Sequence, residues 1–149
     1  CNLASINLLA FLKEDGAFDV IGFRQAIDTL ITAQDLLIDH SGFPTPHIAE
    51  VTKTFRPLGL GVSNLGALLM TLGLPYDSAD GRDMAATLMA ILTGQAYLRS
   101  ALLAQERGAF AGFAANPLNY IHVSSFTCLR LYREVANTDE VSTSACCRN

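Results

Sequence analysis

The sequence predicts an α/β fold, mostly helical, with two short strands. Three observations carry that expectation. Apolar residues recur at helical spacing from Asp19 to Ile38, and again from Ser78 to Leu102. Polar and apolar residues alternate in the opening "CNLASINLLAFL", and Leu58, Leu60 and Val62 alternate with glycines. The chain has 149 residues, one domain's worth and enough to bury a core.

In "CNLASINLLAFL", Leu3, Ser5 and Asn7 share one parity, while Asn2, Ala4, Ile6 and Leu8 share the other. A strand around Leu3 to Leu8 therefore leads into a short helical turn, and "KEDG" (Lys13 to Gly16) ends it. From Asp19 the period changes: Val20, Phe23, Ile27, Leu30, Ile31, Gln34, Leu37 and Ile38 fall three and four apart. Asp19 is the expected N-cap of this amphipathic helix, and "HSG" (His40 to Gly42) its stop. Pro44 and Pro46 hold Phe43 to Thr45 extended, because proline disfavours the α region for the residue before it. A short helical turn follows from His47 to Thr52.

Leu58 to Val62 reads as a short buried strand that enters a helix from Ser63 to Leu72. Gly73 is placed for the left-handed C-terminal turn, and Pro75 blocks continuation. Asp77 or Ser78 caps the longest periodic segment, with Asp80 in its first turn, where a negative charge suits the helix dipole. Met84, Leu88, Ile91, Gln95, Leu98 and Leu102 form its stripe, and Gly108 ends it. Gly94 costs this helix about 1 kcal/mol relative to alanine, which suggests close approach by a neighbour.

The composition is unusual for a freestanding domain. Half the residues are hydrophobic and 16% are charged, against about 25% charged in ordinary globular domains. Mean hydropathy is +0.31. A membrane span needs about 20 mostly apolar residues. The best candidate, "MAATLMAILTGQAYL", is shorter, contains Gln95 and lies between Arg82 and Arg99. A piece cut from the interior of a larger protein is the favoured reading, and the absence of Met at position 1 agrees. No charged-then-apolar leader is read, so a reducing cytoplasm is the expected location. Net charge is −4 with scattered basic residues, which argues against a phosphate-neutralising nucleic-acid surface.

Local chemistry signals are weak. "GLG" (Gly59 to Gly61) between strand and helix invites a phosphate-cradle reading, but Gly66 stands at the wrong distance for a dinucleotide fingerprint. Tight packing of the strand against a neighbour is the preferred explanation. His40, His47 and His122 follow no metal spacing, and no metal site is expected. Cys1, Cys128, Cys146 and Cys147 match neither a disulfide scaffold nor a zinc knuckle. The acidic residues fall mostly at caps and exposed faces. From its own surroundings Cys1 reads as a small buried thiol.

Several stretches together resemble the catalytic subunit of ribonucleotide reductase. They are "CNLASINLLAFL", "RPLGLGVSNLGALLMTLGLPYDSADGRDMAATLMAILTGQAYLRSALLA" and "GAFAGFAANP", in that order. The likeness is strongest to the adenosylcobalamin-dependent class II branch and covers residues 1–117. It implies a part of a ten-stranded α/β barrel, with strands at Leu3 to Leu8 and Leu58 to Val62 and helices packed outside them. It also implies that Cys1, heading C-N-L-x-S-I-N-L, is a redox-active thiol of the pair that reduces the substrate. The implied substrate is a ribonucleoside di- or triphosphate. Adenosylcobalamin is the implied radical source, a thioredoxin-type protein the reductant, and deoxynucleotides and ATP the effectors. The parent is expected as a homodimer without a membrane. The radical cysteine's N-x-C-x-E motif and the redox partner of Cys1 are expected upstream, outside this sequence. Residues 118–149 are read as a divergent C-terminal segment with its last dozen residues disordered, and Cys146 and Cys147 are not equated with the family's C-terminal shuttle cysteines. Two alternatives stay open: a class I large subunit using a separate radical-generating subunit, and a non-catalytic helical module that binds a partner through its apolar faces.

Overall fold

The computed structural model describes residues 2–115 and 117. It contains the expected pair of strands, β1 (Asn2–Asn7) and β2 (Leu58–Ser63), and four α-helices among the described residues: α1 (Val20–His40), α2 (Pro46–Phe55), α3 (Leu65–Thr71) and α4 (Ala79–Arg107). The strands are parallel, with Asn2 opposite Leu58 and Asn7 opposite Ser63. Parallel pairing demands a crossover, which α1 and α2 supply. The expected divergent segment, residues 118–149, and its disordered end lie outside the described residues.

Local signals account for most of the element ends. Asp19 accepts a hydrogen bond from the Gly22 N–H and so caps α1. Ser78, one of the two candidates, caps α4 through the Gly81 N–H. Gly73 adopts φ +71°. The Leu74 N–H then donates to the Leu69 carbonyl at 2.9 Å and the Gly73 N–H to the Met70 carbonyl at 3.1 Å, the paired bonds of a left-handed helix end. The opening strand passes into the expected helical turn, a 3₁₀ turn at Leu8–Phe11.

Two boundaries differ from expectation. The turn expected from His47 to Thr52 is a ten-residue helix, Pro46–Phe55. Thr45 caps it, Pro46 occupies its first turn, where its missing N–H costs nothing, and Arg56 closes it at φ +45°. The helix expected from Ser63 begins at Leu65, because Ser63 still pairs with Asn7.

The core lies between one face of the strand pair and the helices. Ala4, Ile6, Leu58, Leu60 and Val62 point toward α1, where Phe23, Ile27, Ile31, Gln34 and Ile38 are buried. That buried line advances in steps of three and four; Leu37 falls on its flank and is exposed, and Val20, in line but at the first position of α1, is exposed at the helix end. Phe23 also meets Phe11 and Phe18 edge-on, with ring centroids 5.4 and 5.5 Å apart. α4 packs against α1 and buries Leu88, Leu92 and Leu103. Leu102, expected in its stripe, is 40% exposed, and Leu103 takes the buried place. Leu92 is likewise buried where Ile91 was expected, so from mid-helix onward the face turned to the core lies to one side of the expected stripe.

Polar groups join the two long helices. Arg24 Nε donates to Gln95 Oε1 at 2.8 Å, Gln95 Nε2 donates to Asp28 Oδ1 at 2.7 Å, and Arg99 Nε donates to Thr32 Oγ1 at 2.9 Å. Gln95, read as part of an apolar stripe, is the centre of this seam. α2 is held from its other side by the 3₁₀ turn Ala111–Ala115. There a side chain on Gly112 would come within 2.7 Å of the Phe55 ring, so only glycine lets the two segments meet.

Candidate functional site

The two faces of the strand pair differ sharply in side-chain size. The face away from α1 carries Leu3, Ser5 and Asn7 on β1, level with Gly59, Gly61 and Ser63 on β2. Leu3 is 81% exposed, and Ser5, Asn7 and Ser63 are exposed too. This is an open platform of nearly bare backbone. A side chain on Gly61 would lie 3.8 Å from Ser5 Oγ, an ordinary contact. The tight packing expected at that glycine is therefore not required by the described residues, and the glycine leaves space on the platform instead.

At its downstream end the platform closes on a pair of asparagines. Asn64 holds the left-handed conformation at φ +63°, which asparagine tolerates better than most residues. Its side chain makes no cap bond to α3. It donates instead to Asn7 Oδ1 at 2.9 Å, an oxygen that also accepts from the Leu9 N–H. Ser63 Oγ reaches the Ile6 carbonyl at 3.5 Å. The strand–helix junction after "GLG" is thus occupied by an amide pair and leads into a helix of only seven residues.

The upstream end is organised by Gln34 of α1, which is 3% exposed. Its Nε2 donates to the Asn2 carbonyl at 3.1 Å and to the Gly59 carbonyl at 2.8 Å. Asn2 Nδ2 donates in return to the Gln34 backbone carbonyl at 2.8 Å. Cys1 lies outside the described residues and is bonded to Asn2, the first residue of β1. His122, Cys128, Cys146 and Cys147 also lie outside them. His40 ends α1 and His47 stands in the first turn of α2, both exposed. Among the described residues no three His, Cys, Asp or Glu side chains gather to hold a metal ion, and no helix is long and apolar enough to cross a membrane.

On the helix side a groove of about 670 Å³ lies beside β2, lined by Leu58, Leu60, Leu92 and Tyr97 with Asp35 and Arg56. Arg56 fastens α2 to α1 there. Its Nε donates to Asp35 Oδ1 at 2.7 Å, Nη2 to the Asp35 carbonyl at 2.7 Å, and Nη1 to Asp39 Oδ1 at 2.8 Å. The hydrogen bond from Arg56 holds the Asp39 carboxyl below the usual carboxylate range, against the opposing effect of its burial. The same contacts, Asp39's first, push the Arg56 guanidinium further up. The cluster is an internal tie, with Arg56 bound by both carboxylates.

Gln34 and Arg56 are the two organising residues that sequence reasoning missed. Gln34 was visible as the one amide in the buried line of α1. Arg56 carried no signal, since glycine is the residue expected to end a helix in the left-handed region.

A family model for the ribonucleotide reductase barrel domain matches residues 1–142. The chain belongs to that family. The matched span runs beyond Pro117. A vitamin B12-dependent ribonucleotide reductase of Rhodopirellula baltica is 50% identical over 123 residues, 83% of this chain and 12% of the relative. One from Streptomyces coelicolor is 46% identical over 127 residues, 83% of this chain and 13% of the relative. A vitamin B12-dependent ribonucleoside-diphosphate reductase of Mycobacterium tuberculosis is 40% identical over 113 residues, 76% of this chain and 16% of the relative. The chain therefore spans roughly an eighth of the length of the first two relatives. Two parallel strands with outer helices are a portion of the barrel domain and do not close a barrel.

Proposed function

We propose that this chain is the cysteine-bearing strand–helix segment of a vitamin B12-dependent ribonucleotide reductase. The observation that carries the reading is the 50% identity to a relative of that name, over a stretch that folds as the parallel strand pair headed by "CNLASINL". The relatives' names favour the cobalamin branch over one with a separate radical-generating subunit.

In this reading Cys1 is one thiol of the reducing pair, and its partner comes from another part of the enzyme. The balance is simple: one ribonucleotide and two thiols give one deoxyribonucleotide, one disulfide and one water. The ribose 2′ hydroxyl leaves as water, the two sulfurs are oxidised to the disulfide, and a thioredoxin-type dithiol reduces that disulfide by exchange. The open platform of Ser5, Gly59, Gly61 and Ser63 lets a substrate approach the backbone of the strand pair. Deoxynucleotide and ATP effectors, a homodimeric parent and a cytoplasmic setting complete the proposal.

Adenosylcobalamin belongs to the whole enzyme in this reading. The described residues do not fit it: the groove beside β2 suits a drug-sized molecule, far smaller than a corrin with its nucleotide tail, and an internal ion pair lines it. The chemistry assigned to this chain is confined to its thiol.

The test is Cys1→Ser in a full-length reductase carrying this segment. Repeated turnover with thioredoxin should be lost, while a variant that turns over at the wild-type rate would refute the assignment. The 149-residue chain alone, supplied with adenosylcobalamin and a dithiol, should form no deoxynucleotide.

A further inference from the structure

We draw no further inference here: the strongest candidate, the largely apolar groove beside β2 that α1, α2 and α4 border, carries no proposal because nothing in the structure shows what covers it.

Discussion

The two ends of the strand pair are held by different physics. Downstream, where β1 runs into its 3₁₀ turn, Leu8 and the Phe11–Phe18–Phe23 cluster anchor the chain by packing. Upstream, beside Cys1, a single buried amide joins β1, β2 and α1. Apolar packing is strong and largely non-directional, so it stabilises without specifying a position finely. A hydrogen-bonded amide contributes less energy but more geometry. The end where chemistry is proposed has the directional anchor, and the end that only turns the chain has the greasy one.

That contrast can be broken by mutation. Phe23→Ala should have the largest effect, lowering stability by about 3–5 kcal/mol in urea unfolding, because it empties a fully buried site in the aromatic cluster. A loss under about 1 kcal/mol would mean that packing does not dominate the downstream end. Gln34→Met should cost less, about 1–3 kcal/mol, since it removes two donated hydrogen bonds but relieves one unpaired oxygen. Faster amide exchange should be concentrated at the upstream ends of β1 and β2. Uniform acceleration along both strands would erase the distinction between the ends.

Away from the strands, Arg56→Met should cost about 1 kcal/mol, because the Asp39 carboxylate it binds is half in solvent. The pH dependence has a definite sign. The Asp39 carboxyl is lowered in the folded state, so its contribution is complete above the ordinary carboxylate range and is lost as pH falls through its folded value. Arg56→Met should flatten that acid limb. The smallest effect belongs to Asn64→Gly. Glycine relieves the left-handed backbone but gives up the bond to Asn7, and stability should move by less than about 1 kcal/mol.

Much of this architecture was legible in the residues. Asp19, Ser78 and Gly73 announced helix ends because capping chemistry is local, and both strands stood where alternation placed them. The full length of α2 was not legible. Its closing residue is an arginine whose left-handed backbone is held by two carboxylates on another helix, a tertiary cause with no local mark. Gln34 was counted as one position in an amphipathic line. Its importance comes from carbonyls 32 and 25 positions away in sequence, which only folding brings together. The meaning of Cys1 came from likeness to a family, since nothing in its own neighbours distinguishes a working thiol from a buried one.

The crossover has a consequence for how the molecule assembles. Asn7 and Asn64 meet across 57 positions of sequence, and every rung of the strand ladder closes a loop of similar size. Closing such loops carries an entropic cost before any pairing energy is returned. The helices need only local contacts, so α1 can form while β1 still waits for β2 to be synthesised. α1 then presents Gln34 to both strands as a ready template. During that interval the apolar face of β1 lacks the strand it pairs with in the folded molecule.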